Sequence, residues 1–233
     1  MIETKNLCYV TKSGKQILNN ISLCFESGKI SVITGANGSG KSTLIKLLMG
    51  TLSPTSGQIF LDGKDVSSWS ATERANAGIT LAMQQPVAFK GISVKRLMEI
   101  AGKSSLSVGE TCAYLSQVGL CAKDYVNRNF CSDLSGGEMK RIELALALAK
   151  GGNVFLFDEP EAGIDLWSFE SLIEIFKSLK GKTVIIVSHQ KKILDIADNI
   201  VLFDSNGNAT MGKRKKMQDK LQNKTCKALG GAK

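Results

Sequence analysis

The 233-residue sequence has one histidine and six cysteines, and no two cysteines form a C-x-x-C pair. A zinc or iron–sulfur site needs several thiolate or imidazole ligands at short spacing, so none is expected within one chain. Cys8, Cys24, Cys112, Cys121, Cys131 and Cys226 are therefore read as reduced, small apolar fillers. No run approaches the roughly 18 consecutive apolar residues of a membrane span. The opening MIETKNLC lacks the apolar stretch of a signal peptide. The expectation is a cytoplasmic chain that meets a membrane only through a partner. There is also no internal repeat and no low-complexity linker.

A net charge of +9 would suit nucleic acid, but its distribution argues otherwise. Residues 212–233 hold eight Lys/Arg and one Asp, so +7 of the +9 lies in the tail and the other 211 residues carry +2. Four successive cations, KRKK at 213–216, read as a solvated or frayed end. No aromatic residues are interleaved there for base stacking, so no direct nucleic-acid partner is expected.

Hydropathy patterning gives the order of elements. Two β-like runs, 6–11 and 17–25, flank the turn-prone TKSGK; KISVIT at 29–34 is a short apolar strand. Residues 42–50 (STLIKLLMG) carry an apolar helical face closed by glycine, and 58–61 form a strand before the turn Asp62-Gly63. From about 86 to 151 the pattern is mostly helical. Apolar strands VFLF (154–157), TVIIV (183–187) and 200–203 then alternate with helices at 168–179 and 193–197. Strands without polar alternation, separated by helices, imply a parallel sheet covered on both faces. A single domain follows: an α/β core at 1–85 and 152–205, a helical insertion at 86–151, and a basic tail at 206–233.

GANGSGKST (35–43) fits G-x-x-x-x-G-K-[ST] at every fixed position, with a strand before and a helix after. Backbone N–H groups from Gly35, Ala36, Asn37, Gly38, Ser39 and Gly40 can surround a β-phosphate at a helix N-terminus. Lys41 can reach the β- and γ-phosphates, Ser42 can offer its hydroxyl to Mg²⁺, and Thr43 can donate to the α-phosphate. Nucleotide binding follows from this motif. Asp158 ends the VFLF strand, where it is placed for Mg²⁺, and Glu159 beside it can polarise an attacking water. His189 ends TVIIVS at the carboxyl edge of the sheet, within reach of a γ-phosphate. Gln84 in LAMQQP could bind Mg²⁺ or the lytic water; Gln85 is the adjacent alternative. A second Ser-Gly-Gly turn stands at the mouth of a helix in LSGGEMKR (134–141).

In this order the motifs resemble the ATP-binding cassette (ABC) ATPases across nearly the whole chain. They are the phosphate loop at 35–42, Gln84, LSGGE at 134–138, Asp158-Glu159, AGID at 162–165, and His189. The resemblance implies a P-loop NTPase fold with a RecA-like parallel-sheet core, an N-terminal antiparallel β subdomain and an inserted helical subdomain. It also implies ATP hydrolysis with ATP and Mg²⁺ as cofactors. Ser42, Gln84 and Asp158 would serve the metal, and Glu159, His189 and Gln84 the chemistry. Further, it implies an ATP-dependent head-to-tail homodimer, in which Ser135, Gly136, Gly137 and Asp165 of one chain close on the ATP held by Lys41 of the other. One departure concerns adenine: the residue before Gly14 is often aromatic in the family but is Ser13 here, leaving Tyr9 or core packing as alternatives.

Transporter motor subunits commonly continue the signature as SGGQ-x-QR with an alanine-arginine-alanine-leucine stretch, whereas this chain has Glu138, Met139, Lys140, Arg141 and then Leu146 in place of the arginine. SGGE-x-KR and LAMQQPVAFKGIS (81–93) resemble the SufC-type ATPases of iron–sulfur cluster assembly. DEPEAGIDLWSF (158–169) is similar to their minimal two-component forms, and Pro160 departs from the bacterial form. This resemblance implies docking on a SufB-like scaffold through the segment 84–93; the motor subunit of a membrane transporter is the alternative. DNA-repair and translation cassettes fit poorly, since only about fifty residues separate Gln84 from Ser135.

Overall fold

Alternation near the N-terminus and unbroken apolar runs later on build two different sheets. In the computed structural model, which describes residues 1–131 and 134–219, the chain runs β1 (Ile2–Val10), β2 (Gln16–Phe25), β3 (Ile30–Gly35), α1 (Lys41–Met49), β4 (Ser56–Leu61), β5 (Lys64–Asp65), α2 (Ala71–Asn76) and β6 (Ile79–Ala82). The helical stretch α3 (Val94–Gly102), α4 (Val108–Gln117), α5 (Ala122–Tyr125) and α6 (Gly136–Lys150) follows. It leads into β7 (Val154–Asp158), α7 (Leu166–Ser178), β8 (Thr183–Val187), α8 (Lys191–Ile196), β9 (Asn199–Phe203) and β10 (Ala209–Lys213).

Strands β2-β1-β4-β5 form an antiparallel sheet, and β10-β9-β3-β8-β7-β6 a second one that is parallel except at β10. Every residue of β7 and β8 is buried, as a strand covered on both faces requires. Successive side chains point to opposite faces. Val32, Phe157, Val184 and Ile186 therefore join the core shared with the helical stretch, while Ile33, Leu156, Ile185 and Val187 join the core under α1 and the antiparallel sheet. The P-loop NTPase architecture of an α/β core with an antiparallel N-terminal sheet is thus present.

Three features depart from the sequence reading. The first two strands begin earlier, at Ile2 and Gln16, because their alternating, half-buried ends lack a continuous apolar signal. Helix α2 escaped notice because it is short and polar; Ser70 and Glu73 close a capping box at its start. Its Arg74 is buried and donates to the carbonyls of Leu47 and Leu48 at the end of α1, and to those of Val66 and Ser67. A periodicity argument counts Arg74 as surface, yet it serves carbonyls that a helix end leaves without partners.

The basic segment is the third departure. Ala209–Lys213 pair with β9, residues 214–219 are helical, and Met217 is buried in the core. Arg214 donates to the Asp195 carbonyl, and Gln218 Nε2 to Asp195 Oδ1 at 3.0 Å. The KRKK run is therefore docked along the body at its start and is not a frayed end. The rest of the tail, with Cys226, lies outside the described residues. Of the other cysteines, Cys8, Cys24, Cys112 and Cys131 are partly buried, as fillers would be, whereas Cys121 is exposed.

Candidate functional site

Strand β3 delivers the glycine loop to α1, and the loop's glycines are required by geometry. Gly40 has φ 102°, and a Cβ there would lie 2.6 Å from Leu18 Cδ2; Gly35 has φ 142° and would meet the Phe203 carbonyl at 2.5 Å. Both positions combine a left-handed backbone with close neighbours, so only glycine fits. Lys41 Nζ donates to the Gly35 and Ala36 carbonyls, each at 2.9 Å, which folds the cation into the loop. Burial lowers the Lys41 pKa, with Glu159 and Asp158 pulling it back up. Ser39 Oγ is buried without a hydrogen-bond partner among the described residues, as an oxygen awaiting a ligand would be.

The carboxyl edge of the parallel sheet brings the remaining groups to that loop. Asp158 closes β7, and Ser42 Oγ donates to its Oδ1 at 3.0 Å. Burial raises the Asp158 pKa against the opposing Ser42 hydrogen bond. Hydroxyl and carboxylate oxygens meeting at this distance are a donor set suited to a hard cation such as Mg²⁺. No cluster of three or more His, Cys, Asp or Glu side chains with metal-ligand placement occurs among the described residues. Glu159 has φ 47°, a left-handed conformation costing a non-glycine residue roughly 1–3 kcal/mol. Its N–H donates to the Val187 carbonyl at 3.0 Å, which ties β7 to the end of β8. Gln84, two residues beyond β6, donates from Nε2 to Glu159 Oε2 at 2.6 Å.

Lys41, Asn37, Gln84 and Glu159, with Lys15 from the β1–β2 turn and Ile17 from the start of β2, line one open cavity of about 540 Å³. Lys15 and Ile17 were missed by motif reasoning. The only signal for them was their place where the β1–β2 turn ends and β2 begins. Ser13, standing where the family often has an aromatic, is hydrogen-bonded to Thr11 across that turn at 2.9 Å, and Tyr9, the adenine alternative, is partly buried against the core. Gln85 lies with Ile45, Lys46, Leu52, Leu81 and Met83 around a second cavity of about 510 Å³, which Ser42, Gln84 and Asp158 also line.

His189 follows β8, its Nδ1 3.3 Å from Thr34 Oγ1. Burial and the Lys41 cation both lower its pKa. The neighbouring Ser188, also not anticipated, donates to Glu161 and accepts from the Gln190 N–H at 3.0 Å, fixing the backbone that presents the ring. Because the chain has a single histidine, its imidazole resonances are unambiguous. A proton NMR titration of the free protein should give a midpoint below the ordinary value of about 6.5. A midpoint above that value would contradict the burial and the Lys41 field described here.

The second Ser-Gly-Gly turn caps α6. Ser135 Oγ accepts from the Glu138 N–H at 3.2 Å, and Glu138 Oε2 accepts from the Ser135 N–H at 2.7 Å. The Tyr125 hydroxyl and then the Ser135 backbone hold the Glu138 carboxyl down at about 2. A Cβ on Gly137 would lie 2.9 Å from the Gly163 carbonyl, whereas one on Gly136 would meet nothing within 4 Å. Among the described residues, no hydrogen bond or ion pair joins Ser135, Gly136 or Gly137 to the phosphate loop. Asp165 precedes α7, its carbonyl accepting from the Phe169 N–H at 3.1 Å. One chain thus assembles Lys41, Ser42, Gln84, Asp158, Glu159 and His189, and leaves the Ser135 turn apart from them.

A family model described as "ABC transporter" matches residues 18–162, and one described as "AAA domain, putative AbiEii toxin, Type IV TA system" matches residues 132–195. The chain is 35% identical over 205 residues to an uncharacterized ABC transporter ATP-binding protein of Methanocaldococcus jannaschii, covering 84% of this chain and 82% of that one. It is 33% identical over 215 residues to the macrolide export ATP-binding/permease protein MacB of Haemophilus ducreyi, covering 86% of this chain but 30% of that protein. Its fold matches the dimeric structure of a bacterial ABC transporter cassette, with a TM-score of 0.83, 24% identity, and coverage of 92% of this chain and 99% of that one. The descriptions of the first family model, the two relatives and the solved structure name transporter components, and none of them mentions iron–sulfur cluster assembly. The sequence-based preference for a SufC-type protein therefore finds no support in them. No described helix is long and apolar enough to cross a membrane.

Proposed function

This chain belongs to the ABC transporter family of ATPases, and from that premise we propose that two copies close head to tail around two ATP molecules to drive a docked partner. The observation that carries this reading is the division of the site. The loop of Lys41 and the base Glu159 lie together, while the Ser135 turn, a helix N-terminus fit for phosphate, stands apart on the same chain. A second copy, rotated end to end, supplies the missing turn.

Within that site the loop N–H groups and Lys41 bind the β- and γ-phosphates, and His189 contacts the γ-phosphate. Glu159 takes a proton from water as the water oxygen bonds to the γ-phosphorus and the bridging oxygen leaves with ADP. Ser42, Asp158 and Gln84 would hold Mg²⁺, which when bound neutralises charge on the phosphates. Gln84 Nε2 donates to Glu159 Oε2 at 2.6 Å; a carboxylate accepts several hydrogen bonds, so the amide orients the base while leaving it able to take the proton. Ser135, Gly136 and Gly137, with Asp165 nearby, would close on the γ-phosphate from the partner side.

The partner would sit on the edge around Gln84, where Met83, which lines the second cavity, and Val87 and Phe89 further along the chain are exposed. The descriptions of the relatives favour a membrane-embedded transporter subunit there. A second reading, a SufB-like scaffold of iron–sulfur cluster assembly, rests on SGGEMKR and LAMQQPVAFKGIS in this sequence. A cysteine placed at Val87, carrying a short bifunctional crosslinker in cells of the source organism, decides between them. Crosslinking to a protein with apolar spanning segments supports the transporter motor, and to a soluble cysteine- and histidine-bearing scaffold the assembly ATPase. An uncrosslinked chain whose ATPase rate is unchanged by Val87→Glu in those cells would overturn docking at this edge.

A further inference from the structure

Helix α6 carries the Ser135 turn at its start and, within its second turn, a buried ion pair that none of the steps above uses. Lys140 is 1% exposed, and its Nζ donates to the Met83 carbonyl, to the Gln84 carbonyl at 3.4 Å and to Glu143 Oε2 at 3.1 Å. Glu143 closes the grip, its Oε1 accepting from the Met83 N–H at 2.8 Å. Both backbone groups of Met83 and the carbonyl of Gln84 are thus held by one helix, although the Met83 and Gln84 side chains are exposed.

An i,i+3 pair on a helix surface stabilises by only a few tenths of a kcal/mol and reaches no other segment. This pair is of another kind. An ammonium offers three donors, and here all three find acceptors, two of them on the Gln84 loop. Burying a charge is costly unless it is so satisfied. The pair therefore commits the helix to this loop, and the loop in turn places Gln84 Nε2 on Glu159 at 2.6 Å.

We propose that Lys140 and Glu143 are positioning residues for hydrolysis, binding the Gln84 loop to α6 so that closure of the Ser135 turn on a second copy's ATP shifts Gln84 relative to Glu159 in its own site. The inference rests on the head-to-tail reading and adds a path between the two sites. ATP held by one loop is felt at the other base through one rigid helix, so hydrolysis should be cooperative in ATP, and the cooperativity should depend on the pair.

The test is a double-mutant cycle on turnover, with single-chain ATP affinity read by a fluorescent ATP analogue and ATP-driven dimer mass by light scattering. Lys140→Met should lower turnover about 10- to 100-fold, the scale of a misplacement near 1 Å, with affinity kept within about twofold. In a Gln84→Ala background the same change should cost less than about twofold and leave no cooperativity to lose. Losses that multiply in the double variant, or wild-type turnover in Lys140→Met, would overturn the proposal. Should Lys140→Met unfold, Glu143→Gln keeps an acceptor for the Met83 N–H without the charge, and its smaller loss must likewise vanish beside Gln84→Ala. Normal ATP-driven dimers with multiplying losses would sink this inference alone, whereas absence of dimers would sink the head-to-tail reading beneath it.

Discussion

Replacing Glu159 with glutamine is expected to lower ATP turnover by about 10²- to 10⁴-fold, the contribution of a positioned carboxylate base, while ATP binding survives. The glutamine keeps the size and the backbone conformation, including the N–H that donates to Val187 at 3.0 Å, and removes only the capacity to accept a proton. Lys41, Ser42 and the loop N–H groups, which hold the phosphates, are untouched. If hydrolysis is what opens the closed pair, the variant should accumulate as an ATP-bound dimer, visible as a doubling of the 25.0 kDa chain mass. Unchanged turnover would remove Glu159 as the base and leave the buried Asp158 as the nearest alternative.

Replacing Ser135 with arginine is expected to abolish ATP-driven closure and cut turnover by about 10²-fold or more, as losing charge-stabilising donors at a transferring phosphoryl group does. Single-chain ATP affinity should change less than about twofold, because among the described residues no hydrogen bond or ion pair joins Ser135 to the loop that binds the nucleotide. The substitution also removes the cap of α6, worth about 0.5–2 kcal/mol. Ser135→Ala is therefore the control: it loses the same cap without placing a long side chain at the closing surface. If Ser135→Ala dimerises and Ser135→Arg does not, steric closure is the cause. Equal loss of dimer in both would shift the explanation to a frayed α6, and an ATP-driven dimer surviving in Ser135→Arg would contradict the shared site.

The phosphate loop, Asp158-Glu159 and His189 were legible because each lies where a buried apolar strand ends, and such strands announce themselves by composition alone. Gln84 was legible only through its place before the helical stretch. Its contact with Glu159 depends on β6 lying beside β7, which no local pattern specifies. Lys140 and Arg74 were opaque for a different reason. Long cations read as surface by type, and only the three-dimensional structure shows that each is buried to satisfy backbone carbonyls from distant segments. The strand at Ala209–Lys213 was hidden by charge, since an edge strand tolerates glycine and lysine and lacks an apolar run. No element of the fold specifies the partner: the signature's flanking residues and the relatives' names point in different directions, and the proposed docking edge would serve either.

The most direct measurement follows turnover per chain against protein concentration, with light scattering recording mass at each point in saturating ATP. If two chains share each ATP, turnover per chain rises with concentration as the mass moves from one chain to two, and Ser135→Arg stays flat at the lower mass. Full turnover at the mass of a single chain, independent of concentration, would contradict the shared site.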